Sequence, residues 1–441
     1  MRSVHRDILT LALPSVVTNI TVPLLGLVDT AIVGHMGRTE YIGAIAIGTT
    51  IFNICYWIFA FLRMGTTGLV AQAHGARDIA RVESVLRRSL QLSILFSILL
   101  ILAQRFILWF AMWLMPAESE VAQFVSIYFS ICIWGAPAML TLFALNGWFI
   151  GCQDTRSPMM VAIVQNLLNI VLSLFLVCGL GWKMEGVATG TLTAQWAAML
   201  LAVSLAFRKM RRLREEDKQM PDAQRNHAPV PLPLSVFFRV NRDIFLRTLC
   251  LVAVTVYFTS AGSQQGYLIL GANALLRQFF IFYSYFTDGL ANAAEALSGK
   301  HAGAGNRPQL IKTIRALFIQ GFIVTAIFTA VYLLGGETIL RLLTDRSEVV
   351  TTATPYLPWI VSIPFAALLA MIWDGVFIGL TWSREMLLSM FLAAVLFFAL
   401  YLLSRDAMGN HALWMAFVCY LFVRGAVQTW FVYNKTKPHE L

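Results

Sequence analysis

The sequence predicts an all-α integral membrane protein, with twelve transmembrane helices in two pseudo-symmetric six-helix bundles. Three observations lead there. The 441 residues are 58% hydrophobic and 13% charged, about half the charge of a soluble globular chain. The charges gather in short segments between apolar runs of about 20 residues or more, the length at which a helix crosses the hydrocarbon core. The second half of the chain also repeats the first. Period-two alternation is absent, so the spans read as helices rather than barrel strands.

The spans fall near 8–34, 42–72, 88–113, 121–150, 158–180, 186–207, 243–263, 270–299, 313–334, 350–379, 386–404 and 411–433. The longest imply tilt, kinks or helix running beyond the bilayer. The first is too long for a signal-peptide core and has no small-residue cleavage site after it, so it reads as a retained helix. One set of loops carries most of the Lys and Arg. It comprises the N-terminus, "HGARDIARVESVLRR", "QDTRSP", residues 208–242, "KHAGAGNRPQLIKTIR", "WSRE" and the C-terminus. The other set holds Arg38, Lys183, Arg341, Arg346 and Arg405. The positive-inside rule places the first set, with both termini, in the cytoplasm. It also accounts for the net charge of +10 without a nucleic-acid partner. The six cysteines are scattered through apolar runs and suit neither a metal site nor a disulfide framework.

Residues 1–207 therefore form an N-lobe, 208–242 a charge-dense and then Pro-rich cytoplasmic linker, and 243–441 a C-lobe. "GWFIGCQDTR" from Gly147 and "GVFIGLTWSR" from Gly375 agree at five of ten positions. The same offset, 228 positions, pairs Gly43, Ala44 and Ala46 with Gly271, Ala272 and Ala274, and Gly75 with Gly303. Six spans per half is an even number, so both halves enter the membrane in the same sense. Such parallel repeats are common in transporters that work by alternating access.

Ionisable groups inside spans cost about 2.5–3.5 kcal/mol on insertion scales and mark function by default. In the first span Asn19, Gly26 and Asp29 share a helical face, and Pro14 and Pro23 invite bending. The second span carries Arg63, a candidate partner for a carboxylate, in register with Asn53, Tyr56 and Thr67. The fifth has Asn166, Asn169 and Ser173 on one face, which alone would suit ordinary interhelical hydrogen bonding. The eighth lines up Arg277, Ser284, Asp288, Asn292 and Glu295, a stripe expected to line a cavity or to pair inside the C-lobe. The tenth adds Asp374, the repeat mate of Asn146. A desolvated carboxylate has a raised pKa and exchanges a proton near neutral pH, while a bound cation opposes that proton. Proton and cation then compete for one site, which is the minimum physics of an antiporter. Carboxylates with neutral oxygens suit Na+ equally. No phosphate loop, metal-spaced His pair or nucleophile elbow is present, so no enzyme chemistry is expected.

"NITVPLLGLVDTAIVGHMG", "FLRMGTTGLVAQAHGA", "NLLNIVL" and "WDGVFIG", with twelve spans in two repeats, closely resemble the multidrug and toxic compound extrusion (MATE) family, in its DinF-like branch. The resemblance implies a V-shaped pair of lobes that exports cationic or amphipathic compounds in exchange for H+ or Na+. It implies a coupling role for Asp29, through bending of the first helix at Pro14 and Pro23, or for the C-lobe acids Asp374, Glu295 and Asp288. One departure stands out: many N-lobe-coupled members place an Asp four residues after the fifth-helix Asn, where this chain has Ser173.

The expected function is thus an H+-coupled efflux antiporter of a bacterial inner membrane. It would need no cofactor beyond H+ or Na+, and act as a monomer on small molecules within the lipid. Asn19, Arg63, Asn166, Asn169, Ser173 and Asn292 would form the supporting polar cavity. The rivals are a lipid-linked precursor flippase of the same superfamily, and a non-transporting receptor or scaffold.

Overall fold

The computed structural model describes residues 2–34, 39–115, 117–219 and 233–435. Among them every regular element is helical, as the composition predicts. The first span is α1 (Arg2–Gly34). The second is α2 (Thr39–Ile58) followed by α3 (Phe61–Gly75), the third α4 (Ile79–Leu102) followed by α5 (Gln104–Leu114). The fourth joins α6 (Ser119–Cys132) through a 3₁₀ turn to α7 (Ala136–Gly151). The fifth is α8 (Arg156–Leu174), ending in a π turn, and the sixth α9 (Met184–Gln219). The second half runs α10 (Leu234–Ser263), α11 (Tyr267–Gly303) and α12 (Arg307–Leu343). Then come α13 (Ser347–Ala353) with α14 (Leu357–Gly379), α15 (Ser383–Met408) and α16 (Asn410–Lys435). Grouped this way the described helices make twelve spans, ten of them long and apolar enough to cross a membrane.

The repeat seen in the sequence is a repeat of packing. A Cβ built on Gly147 would lie 2.2 Å from the Arg63 carbonyl oxygen, and one on Gly375 would lie 2.5 Å from that of Ala291. One turn further on, Gly151 faces the Thr67 carbonyl at 2.9 Å and Gly379 that of Glu295 at 2.6 Å. At the other end of the same spans, Gly43 abuts Val121 at 3.6 Å and Gly271 abuts Val349 at 3.5 Å. Each pair repeats at the sequence offset. Lipid supplies no hydrophobic drive between helices, so association depends on such close approach at small residues.

The turns repeat as well. After α3, Asp78 donates its N–H to the Ala73 carbonyl (2.9 Å), and its side chain accepts from Arg81 N–H (2.9 Å), capping α4. After α11, Asn306 donates to the His301 carbonyl (2.9 Å) and accepts from Gln309 N–H (3.1 Å). Asp and Asn are favoured caps because the short side chain satisfies an orphan N–H of the first turn. The preceding residue is left-handed in both turns, Arg77 at φ +56° and Gly305 at φ +65°.

Three features depart from the sequence expectation. The second span of the N-terminal half breaks at Phe59–Ala60, whereas its counterpart α11 is continuous over 37 residues. The segment expected as linker is helical at both ends, because α9 runs on to Gln219 and α10 begins at Leu234. The third concerns grouping. The chain divides into two compact units, one of Pro14–Phe237 and one of Met1–Leu13 with Phe238–Leu441. The start of α1 therefore packs with the second half: the buried Gln320 Nε2 lies 3.0 Å from His5 Nδ1 and donates to the His5 carbonyl at 3.2 Å.

Candidate functional site

In the N-terminal unit the polar stripe of α8 divides between two neighbours. Asn166 Nδ2 donates to the Thr21 carbonyl of α1 at 3.0 Å. Asn169 Nδ2 donates to Thr191 Oγ1 of α9 at 2.9 Å, and that hydroxyl donates on to the Val187 carbonyl at 3.0 Å. Ser173 is fully buried against Gly190, where a Cβ would sit 2.6 Å from its Oγ. Asn169 Oδ1 and Ser173 Oγ are both buried without a hydrogen-bond partner, and so is Asn146 Oδ1 on α7. Buried polar atoms are satisfied in the great majority of cases, so orphan oxygens at these positions need an explanation.

Asn19 and Pro14 are half-buried on α1. The backbone of α1 continues through Pro23 and Asp29, whose side chains lie outside the described residues. Arg63 is half-buried at the start of α3, just after the helix break, and its main chain is the surface on which Gly147 packs.

In the C-terminal unit Asp374 is buried and fully engaged. Its Oδ2 accepts from the guanidinium groups of Arg247 on α10 and Arg424 on α16. Its Oδ1 accepts from Gln428 Nε2 at 2.6 Å. One carboxylate thus ties α10, α14 and α16 together. A cation entering here would have to displace a guanidinium. Breaking such a pair strands an uncompensated buried charge and costs about 3–5 kcal/mol. In this arrangement Asp374 is an anchor.

The stripe on α11 is not enclosed as a unit. Glu295 is buried and Asn292 half-buried, while Asp288 is exposed. The reason is the packing seam: α11 buries Leu276, Phe279, Tyr283, Thr287 and Leu290, and Asp288 projects beside that line. Ser284 bonds back to its own helix at Ile281 (2.8 Å). Arg277 lines a cavity of about 50 Å³ walled by Phe258, Phe280, Trp414 and Phe417, with Arg424 as the other charged lining residue.

Arg247, Arg424 and Gln428 were not among the residues the sequence nominated. Arg424 and Gln428 lie four apart, on one face of an otherwise apolar span, and that spacing is a usable signal. Arg247 shows only as a lone base early in its span. Among the described residues no cluster of His, Cys, Asp and Glu could hold a metal ion.

With this geometry in hand, comparison with known proteins gives concordant results. A family model described as MatE matches residues 14–175 and 244–403, one block in each half. The DNA damage-inducible protein F of Escherichia coli (strain K12) is 39% identical over 416 residues, covering 94% of this chain and 89% of that protein. The probable multidrug resistance protein NorM of Thermotoga maritima is 22% identical over 361 residues, covering 79% of this chain and 74% of its own length. Among solved structures, an outward-facing multidrug resistance MATE family transporter of the MOP superfamily superposes with a TM-score of 0.84 at 19% identity. It covers 98% of this chain and 97% of that one.

Proposed function

Because this chain belongs to the MatE family, shared with E. coli protein F, we propose that it is a secondary antiporter exporting cationic or amphipathic small molecules. The coupling ion is H+, the membrane is the bacterial inner membrane, and both termini face the cytoplasm. The coupling acid is Asp29 of the N-lobe. One observation carries this choice: the C-lobe acid of the repeat, Asp374, is already neutralised by Arg247 and Arg424. In the N-lobe, Asn169 Oδ1 and Ser173 Oγ are buried and unpartnered. Acceptor oxygens near a carboxylate stabilise its protonated form by taking the acid proton in a hydrogen bond. Ser173 then supplies one neutral oxygen where the family resemblance implies a second acid in many N-lobe-coupled members.

The test is dye flux in proteoliposomes. Ethidium movement driven by an imposed pH gradient in sodium-free buffer is expected for the wild type and lost in Asp29→Asn at equal insertion. Flux that survives Asp29→Asn overturns the assignment. A requirement for sodium replaces the proton as coupling ion.

A further inference from the structure

A groove of about 720 Å³ opens in the N-terminal unit between α4, α7 and α9, within the usual size of small-ligand sites. Its floor is apolar, formed by Leu90, Leu145, Val203, Phe207 and Met210. Its rim is cationic, formed by Arg87, Arg211, Arg214 and Lys218, with Glu83 and Glu215 as the two acids. Both acids are already engaged. Glu83 accepts from Arg214 at 2.6 Å and from Arg87 at 3.3 Å, and Glu215 accepts from Arg211 at 2.9 Å. Four cations against two acids leave the rim positive. Arg87 and Arg211 keep 70% and 83% of their side-chain surface exposed, so their remaining donors face outward.

Apolar floor and charged rim are stacked along the helix axis in a particular order. Helix α9 has 36 residues, about 54 Å at 1.5 Å per residue, against a hydrocarbon core of about 30 Å. Val203 and Phe207 belong to its apolar stretch, and Phe207 is 73% exposed. Arg211, Arg214 and Lys218 lie one to three turns beyond, past the last apolar run. The groove is thus greasy at acyl-chain depth and basic at headgroup depth. In the orientation read from the loop charges it opens on the cytoplasmic leaflet, where anionic lipids concentrate. A free phosphate would leave the floor unused, and a zwitterionic headgroup would leave the rim uncompensated.

We propose that this groove seats an anionic phospholipid of the cytoplasmic leaflet, with its phosphate on Arg87 and Arg211 and an acyl chain along Val203 and Phe207. Guanidinium groups suit the task because their forked donors match phosphate oxygens in pairs. The proposal rests on the membrane orientation and not on the transport reading, since lipid retention is measured without flux.

The experiment is native mass spectrometry of the full chain in detergent, titrated with phosphatidylglycerol or phosphatidylcholine of identical acyl chains, and separately with inorganic phosphate. Phosphatidylglycerol is expected to bind about tenfold or more tightly than phosphatidylcholine. The double variant Arg87→Gln/Arg211→Gln is expected to weaken that binding roughly 10- to 30-fold, from about 1 kcal/mol per basic residue near a lipid surface. Arg315→Gln, an exposed base on α12 outside the groove, leaves it unchanged. Phe207→Gln reports on the floor: it weakens lipid retention while both arginines stay in place. Equal retention in the double variant overturns the proposal, as does equal binding of the two lipids. Binding of inorganic phosphate as tight as that of lipid also overturns it, because the floor would then contribute nothing.

Discussion

Asn146 and Asp374 occupy equivalent places in two halves that pack through the same glycine seams, yet their surroundings differ. Gly147 and Gly375 follow them and press on the carbonyls of Arg63 and Ala291 in the same way. Around that shared backbone, the C-lobe position carries an acid gripped by Arg247, Arg424 and Gln428. The N-lobe position carries an amide whose Oδ1 is buried and unpartnered. The second span differs too, broken at Phe59–Ala60 in one half and continuous as α11 in the other. Duplication has kept the seams, caps and turns and has let the mid-membrane chemistry diverge. A carboxylate's role in one lobe therefore does not transfer to the other by position. What surrounds it decides.

The largest effect expected from perturbing this contrast is at the clamp. Asp374→Ala strands two guanidinium groups and should cost about 3–5 kcal/mol, read as a lowered unfolding midpoint in detergent. Replacing all three charges with apolar residues (Arg247→Met, Asp374→Leu, Arg424→Met) should recover most of that loss. An unchanged midpoint in Asp374→Ala would remove the anchor role and return the residue to the coupling candidates. Next come the seams, where Gly147→Val and Gly375→Val should each cost about 1–3 kcal/mol by overpacking. Equal losses in thermal melts would support equivalent seams, and a loss confined to one half would break the symmetry. The caps follow. Asp78→Ala and Asn306→Ala should each cost about 1 kcal/mol, visible as faster amide exchange in the first turns of α4 and α12. The smallest stability effect is at Ser173, whose Oγ makes no bond to lose. Ser173→Ala should stay within about 0.5 kcal/mol of wild type while lowering gradient-driven flux. Unchanged flux would detach that oxygen from the coupling site.

The spans and the repeat were legible in the sequence because both are written in long patterns: apolar runs bounded by charge, and glycines recurring at a fixed offset. The break at Phe59–Ala60 was not, because neither Pro nor Gly marks it. The helical extension of α9 was hidden for a different reason. Residues 208–219 look like linker once the apolar run stops. Yet Arg, Lys and Glu are good helix formers, and Arg211 with Glu215 forms a same-face pair at 2.9 Å. The candidate site was half legible. Intramembrane polarity pointed to Asn166, Asn169, Glu295 and Asp374, but a polar stripe does not say which neighbour each side chain meets. Asn166 turned to α1 and Asn169 to α9. The partners of Asp374 come from two other spans, α10 and α16, so only the folded bundle assembles them.

The grouping of the first thirteen residues with the second half has a consequence for anyone handling the gene. Cutting the reading frame in the middle would not yield two self-sufficient fragments, because the upstream piece would carry off a segment that belongs to the downstream body. A start codon moved past Leu13 would leave the unit Pro14–Phe237 whole. It would instead uncover Gln320 on α12, more than three hundred positions away along the chain.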